Sequence, residues 1–169
     1  DGTVFAVNAV NGKDIWQTFN KGLTGKGYLQ VKGDFLSVAS ENDCMALYNS
    51  KNGQLLWNIE QQGIFDHGAA ISDSVVYLLG GAEALCASTG KVLWTKSDST
   101  GTLCASPTLV DNYIVASSGL GSGYISIMGI DGSLLLTIKA FDSRACDGAI
   151  IFGGRIYTVG SGHIIAYGG

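Results

Sequence analysis

The chain alternates between short apolar segments and turns rich in glycine, asparagine and aspartate. Its first two segments, residues 2–8 and 13–19, are joined by Asn11-Gly12, a dipeptide typical of tight β-hairpin turns. Residues 28–31 and 35–39 form a second apolar pair around a Lys-Gly-Asp turn. No segment sustains the apolar period of a helix, so the pattern predicts an all-β protein of antiparallel strands.

An eleven-residue segment recurs along the chain, with alanine at its start, glycine at a turn and tryptophan at its end. Its copies, one with an inserted residue and the last with leucine in place of tryptophan, lie at 6–16, 46–57, 84–94 and 126–136. The turn glycines are 41, 37 and 42 residues apart: Gly12, Gly53, Gly90 and Gly132. Four short strands in each repeat of about 40 residues predict the blades of a β-propeller.

Each later repeat also has two apolar segments ahead of the tryptophan motif. We expect a single domain over residues 1–169, with repeat segments at approximately 1–20, 21–61, 62–98, 99–140 and 141–169. Residues 2–8 and 162–167 both have the pattern of a third strand, which gives five third strands but four strands of every other kind. We therefore expect four to five repeats that belong to a larger propeller or are completed by another chain. The alternative is an imperfect four-bladed disc.

The amino-acid composition is consistent with many tight turns. It also limits the kinds of partner that the chain is expected to bind. The chain has 25 glycines and one proline among 169 residues, with 46% hydrophobic and 14% charged side chains. Its net charge is −4 and its charged residues are scattered, which argues against a nucleic-acid surface. No apolar run approaches the roughly 20 residues that a transmembrane helix needs. A protein partner is the favoured class.

The segments at 6–16 and 84–94 resemble the tryptophan-docking motif of pyrroloquinoline-quinone-type (quinoprotein-type) β-propellers. The resemblance covers essentially the whole chain, in a family that includes quinoprotein dehydrogenases, an outer-membrane barrel-assembly lipoprotein and propellers of unknown role. We expect the large rings to pack against small residues of the neighbouring repeat and hold the blades together. The residues expected in these structural contacts are Trp16, Trp57, Trp94, Gly12, Gly53 and Gly90. At the fourth position, Leu136 is expected to give a weaker contact.

Quinone chemistry is not expected, although the resemblance names that cofactor. Dehydrogenases of the family hold it with two adjacent cysteines and a calcium ion bound by Glu, Asn and Asp. Here no two cysteines are adjacent, and no such cluster recurs. We therefore expect no cofactor and keep pyrroloquinoline quinone or a divalent metal as the less favoured alternative. The four cysteines are Cys44, Cys86, Cys104 and Cys146.

Two of the cysteines occupy equivalent positions, because Cys104 and Cys146 each lie 14 residues after their turn glycine, just before an innermost strand. Innermost strands line the central channel, so these positions and their equivalents could meet at one channel mouth. The candidate contacts there for a ligand or partner are Lys26, Asp66, His67, Cys104, Ser106, Arg144, Cys146 and Asp147. Three interpretations stay open for the cysteines: buried thiols, a disulfide between adjacent blades, and a Cys/His/Asp metal site.

No catalytic residue is assigned, because neither a Ser-His-Asp order nor a nucleophile elbow is present. The leading hypothesis is a non-catalytic recognition or scaffold module that binds a protein partner. The alternatives are a ligand-binding or enzymatic propeller with its site at the channel mouth, and a sensor domain of a larger protein. The resemblance favours a periplasmic or extracellular location, whereas four cysteines without evident pairing also fit the cytoplasm.

Overall fold

The computed structural model describes residues 2–41, 43–60, 68–78, 83–96, 106–117, 123–140, 148–160 and 162–168. Within these residues the chain forms seventeen β-strands and no helix, which confirms the predicted all-β class. The strands are β1 (Thr3–Val7), β2 (Asp14–Phe19), β3 (Gly27–Lys32), β4 (Phe35–Ser40), β5 (Cys44–Asn49), β6 (Leu55–Glu60), β7 (Ala70–Ile71), β8 (Val75–Leu78), β9 (Glu83–Cys86), β10 (Val92–Thr95), β11 (Thr108–Val110), β12 (Tyr113–Ser117), β13 (Tyr124–Gly129), β14 (Leu134–Lys139), β15 (Ala149–Phe152), β16 (Arg155–Gly160) and β17 (His163–Tyr167).

The strands form a series of antiparallel sheets, each assembled in chain order. Three sheets have four strands, β3–β6, β7–β10 and β11–β14, while β1 pairs with β2 and β15–β17 form a three-stranded sheet. In the sheet β3–β6, for example, Val38 lies opposite both Leu29 and Ala46. The first strands of successive sheets contact one another, from β3 to β7, β11 and β15. They are therefore the inner strands, and the sheets are the predicted blades of a partial β-propeller.

Hydrophobic packing lies in layers between successive blades, because a four-stranded sheet buries its faces only against its neighbours. In the layer between β3–β6 and β7–β10, Met45 and Leu47 share a cluster with Val76 and Leu78. Comparable clusters join the other neighbouring sheets. Strand β5 is buried over nearly its whole length, whereas β2 on the outside of its blade is mostly exposed. The outermost strands are therefore where the blades present side chains to solvent.

One buried residue differs from the residue at the same position of the other repeats. Ser126 occupies the position of the motif alanine, and its Oγ is buried without a hydrogen-bond partner among the described residues. Ser126→Ala is therefore expected to raise the free energy of unfolding by about 1 kcal/mol, because it removes an unsatisfied hydroxyl. Urea denaturation of the two proteins measures this. Ser40→Ala is the control with the opposite sign, because Ser40 Oγ donates a hydrogen bond to the Cys44 carbonyl at 3.5 Å. A loss of stability in Ser126→Ala would contradict the prediction.

Candidate interaction surfaces

Three tryptophans join successive blades, each reaching from the outermost strand of one blade to the hairpin turn of the next. Each indole Nε1 donates a hydrogen bond to a turn carbonyl: Trp16 to Ser50 at 3.0 Å, Trp57 to Ala87 at 2.7 Å, and Trp94 to Ile130 at 3.1 Å. Each ring also lies against a turn glycine: Trp16 on Gly53, Trp57 on Gly90, and Trp94 on Gly132. Each joint therefore combines an apolar contact with a hydrogen bond.

The turn glycines are required by backbone conformation and by the ring above them. Gly53 and Gly90 have φ angles of 72° and 69°, in the left-handed region that disfavours other residues. A Cβ atom added to Gly53 would lie 2.5 Å from Trp16 Cε3, and one added to Gly90 would lie 2.9 Å from Trp57 Cδ2. The ring can approach the turn closely only because glycine has no Cβ atom.

The proposed channel-mouth residues are described only in part. Six of them lie outside the described residues, so their convergence stays a prediction: Asp66, His67, Cys104, Arg144, Cys146 and Asp147. Ser106 precedes β11, and its Oγ lies 2.9 Å from the place of a Cβ on Gly68, which precedes β7. A Cβ on Gly148, ahead of β15, would lie 4.0 Å from the Ser106 carbonyl oxygen. The approaches to three inner strands therefore meet near Ser106.

Lys26, the other described channel-mouth candidate, forms an ion pair. Its Nζ lies 3.0 Å from Glu41 Oε1, and its backbone N–H donates to Glu41 Oε2 at 3.4 Å. The side-chain hydrogen bond between them raises the pKa of Lys26 and lowers that of Glu41. Because both side chains are exposed, the pair contributes little to stability. Its effect is to hold the Lys26 ammonium beside the start of β3.

Two cysteines are described, and both are free. Cys44 is fully buried between the β1–β2 pair and the β3–β6 blade, and its burial raises the pKa of its thiol, as does the Glu60 carboxylate to a smaller extent. Cys86 is half-buried, with Sγ 3.3 Å from Ser88 Oγ. Hydrogen bonds from Ser88 and Thr89 lower the pKa of Cys86 to about 7. The pKa values of the two thiols are therefore shifted in opposite directions.

The quinone and divalent-metal alternatives stay predictions, because six of the eight channel-mouth candidates lie outside the described residues. Among the described residues, no group of three or more His, Cys, Asp or Glu side chains could hold a metal ion. Cys44 and Cys86 lie in different blades and cannot supply an adjacent-cysteine contact. No chemical step is therefore assigned to such a group. A ligand site at the channel mouth therefore stays a prediction.

A row of exposed aliphatic side chains follows the outer edge of the blades. Each member directly precedes a docking position, and its exposed fraction is substantial: Ile15 58%, Leu56 36%, Leu93 54% and Leu135 54%. We call these four residues the rim row. They lie on β2, β6, β10 and β14, the strands at the outer end of their sheets. Each is the extra residue of a β-bulge, since the residues on either side of it have strand partners and it has none: in β2, for example, Asp14 pairs with Val7 and Trp16 with Ala6.

We did not predict the rim row from the sequence, although the pattern that marks it is present there. An aliphatic residue precedes each docking position, but on its own this pattern does not distinguish an exposed outer strand from a buried one. The exposure follows from the position of these strands at the outside of the blades, where their sheets have one edge without a described neighbour. The outer strands therefore carry exposed aliphatic side chains and backbone hydrogen-bonding groups along the same edge.

The described residues define a partial β-propeller whose blades are linked by tryptophan joints and whose apolar rim is exposed. The family model of outer membrane protein assembly factor BamB matches residues 1–63 and 46–143. The chain belongs to this family, which confirms the quinoprotein-type resemblance. No curated protein sequence gives a significant match. No helix among the described residues has the length and hydropathy needed to cross a membrane.

Solved structures share the fold at low sequence identity. BamB from Moraxella catarrhalis matches with a TM-score of 0.77 at 16% identity, over 98% of this chain and 52% of that chain. The computationally designed Ika8 protein gives 0.80 at 16% identity, over 99% and 52% of the two chains. The designed Ika4 protein gives 0.76 at 15% identity, over 92% and 98%. The chain therefore spans about half of BamB and Ika8 and nearly all of Ika4.

Proposed function

We propose that this chain is a non-catalytic propeller module that binds a protein partner along the rim row. The proposal rests on one observation, the recurrence of an exposed aliphatic side chain at the same position of the outermost strand in successive blades. Single exposed apolar residues are common on soluble proteins, so the proposal rests on their recurrence at one position of successive blades and not on their exposure alone.

The outer edges of the same strands provide the second part of the surface. An extended segment of a partner can add to such an edge, where main-chain hydrogen bonds supply affinity and side-chain contacts supply specificity. Strands β6 and β10 have Leu56 and Leu93 beside this edge, so backbone pairing and apolar contact would involve the same segment. A protein with exposed β-structure or a flexible apolar segment fits this surface best.

The family supports the same class of function. Its name describes a factor in the assembly of outer membrane proteins, which supports a protein partner and a periplasmic location for this chain. Because the chain spans about half of BamB from Moraxella catarrhalis, the partner is inferred from the surface of this chain, not carried over from that protein. Cell fractionation of the tagged chain tests the location.

Replacing Ile15, Leu56 and Leu93 together by serine is expected to weaken partner binding at least tenfold, because apolar contacts at an interface centre dominate its affinity. The partner is first recovered from envelope extracts on the immobilised chain and is then purified for titration against wild type and variant. Val10→Ser is the matched control, because Val10 is 95% exposed but lies in a turn outside the rim row.

Two outcomes would overturn the proposal. Equal affinity of the partner for wild type and the triple variant would exclude the rim row as the binding surface. Recovery of no partner, together with turnover in a substrate screen of the purified chain, would favour the enzymatic alternative. Circular dichroism of the variant establishes that a loss of binding is not a loss of fold.

A further inference from the structure

Strand β10 is the outer strand of the middle blade, and a lysine lies at each of its ends. Complete four-stranded blades, β3–β6 and β11–β14, pack on either side of this blade. Lys91 directly precedes β10, Lys96 directly follows it, and both residues are exposed. Between them, Val92 and Leu93 are 57% and 54% exposed. The open edge of the blade therefore carries two aliphatic side chains between two cations.

Neighbouring residues hold both lysines at this edge. The Lys91 carbonyl accepts a hydrogen bond from the Cys86 N–H at 2.8 Å, which fixes the backbone where β10 begins. Lys96 Cγ lies 3.0 Å from the place of a Cβ on Gly132, so its aliphatic stem lies along the hairpin turn of the following blade. A lysine stem packed in this way keeps its ammonium group at the surface. Neither lysine forms an ion pair within the described part of the chain, so both ammonium groups are open to a ligand.

The acidic side chains near β10 are directed elsewhere. Asp131 accepts hydrogen bonds from the N–H and the hydroxyl of Ser133, at 3.0 Å and 2.6 Å. The side-chain hydrogen bond is the main cause of the lowered pKa of Asp131, and the charge of Lys96 contributes least. Glu83 lies opposite Thr95, and because alternate residues point to opposite faces, this pair points away from the turn that Lys96 contacts. No described carboxylate therefore neutralises the two lysines by direct contact.

The other outer strands carry a different pattern of charge. Before β2, Lys13 is followed at once by the acidic Asp14. Strand β6 ends at Glu60, and β14 directly follows the neutral Ser133. Among the outer strands that the structure describes, β10 alone has a cation directly at both ends.

The backbone of β10 is open on one side but suits only a limited range of partners. The strand pairs with β9 and has no described strand on its outer side. It has four residues, and Leu93 is the extra residue between Val92 and Trp94 in its pairing with β9. Short and bulged edges limit indiscriminate strand pairing. The side chains at this edge must therefore take part in selecting what binds there.

We propose that the edge of β10 binds an extended segment of the protein partner in which aliphatic residues lie between two carboxylates. This inference rests on the proposed function, because it selects one strand of the rim and the chemistry of the segment bound there. Lys91 and Lys96 are separated by about 16 Å along an extended chain, so the two carboxylates lie at a similar spacing. Val92 and Leu93 contact the aliphatic side chains between them. The apolar contacts supply affinity, and the charges at either end select the partner and fix its register.

Two short synthetic peptides test the chemistry of this segment by fluorescence anisotropy. Both alternate valine and threonine; one carries two glutamates at the spacing of Lys91 and Lys96, and the other carries lysines at the same two positions. The glutamate peptide should bind the wild-type chain at least tenfold more tightly than the lysine peptide at low salt. The difference should shrink at high salt, because exposed charges are screened. Equal affinities, or no binding of the glutamate peptide at millimolar concentration, would overturn the proposal.

Reversing the charge of the two lysines tests the site itself. The double variant Lys91→Glu/Lys96→Glu should prefer the lysine peptide over the glutamate peptide at least tenfold. The matched control is Lys13→Glu/Lys139→Glu, which changes the net charge equally but alters the outer strands β2 and β14. It should keep the wild-type preference. If the first variant keeps that preference, or the control loses it, the lysines beside β10 do not select the ligand.

The purified partner separates this inference from the proposed function. It should bind the charge-reversal variant at least tenfold more weakly than wild type. If the serine variant of Ile15, Leu56 and Leu93 weakens binding but charge reversal does not, the rim row binds the partner and the inference about β10 is wrong. If the serine variant binds normally, the proposed function is wrong. Binding to anionic lipid vesicles, or self-association, that charge reversal abolishes while the glutamate peptide fails to bind would assign this edge to a membrane or to a second copy.

Discussion

Trp57→Ala is expected to lower the free energy of unfolding by about 3 kcal/mol and the Tm by about 10 °C. Trp57 packs against the cluster between the β3–β6 and β7–β10 blades, and it is the joint with the shortest hydrogen bond, 2.7 Å to the Ala87 carbonyl. Alanine leaves a cavity between two blades and an unpaired carbonyl at the turn. Thermal and urea denaturation, followed by far-ultraviolet circular dichroism, measure the loss.

Two further variants identify the source of this effect. Trp57→Phe keeps most of the apolar contact and loses the indole donor, so it should cost about 1 kcal/mol, the usual net value of one hydrogen bond. Leu56→Ala changes the adjacent residue, which is 36% exposed, and should cost only about 1 kcal/mol, because it removes fewer and less buried atoms than Trp57→Ala does. If Leu56→Ala destabilises the protein as strongly as Trp57→Ala, the joint does not hold the blades together.

The blade architecture could be predicted because each blade is formed by a short, continuous segment of the sequence. Turn glycines at a spacing of about 40 residues and tryptophans four residues later mark one hairpin per blade, and strand pairs fill the intervals. The predicted pair at 28–31 and 35–39 corresponds closely to β3 (Gly27–Lys32) and β4 (Phe35–Ser40). Such antiparallel neighbours need only short turns, so local pattern determines their pairing.

Features that depend on contact between repeats could not be predicted in the same way. The carbonyl that accepts the Trp57 hydrogen bond lies 30 residues away, and a backbone acceptor has no signature in sequence. The partner of Lys26 is Glu41, which comes close only because β3 and β4 form a hairpin. The exposure of the rim row likewise depends on how far the outer strands stand from the next blade. Sequence pattern identified the blades, and tertiary structure determined which of their surfaces are free.

Gly90→Ala is expected to cost about 3 kcal/mol, and most of this cost should vanish when Trp57 is also replaced. Two effects add in the single variant. Alanine at a φ of 69° costs about 1 kcal/mol in the left-handed region. In addition, its Cβ would lie 2.9 Å from Trp57 Cδ2 and would push the ring off the turn. Only the first effect remains in the background of Trp57→Ala.

A double-mutant cycle on Gly90 and Trp57 should therefore give a coupling free energy of about 2 kcal/mol, as expected for residues in direct contact. Gly153→Ala is the matched control, because Gly153 has a φ of 59° and no described atom within 4 Å of its Cβ position. Its cost should be about 1 kcal/mol in both backgrounds, with no coupling. Equal costs of Gly90→Ala in the two backgrounds would mean that the left-handed backbone conformation alone requires glycine at this turn. A coupling near the expected value would show that the glycine and the tryptophan of adjacent blades act as one joint.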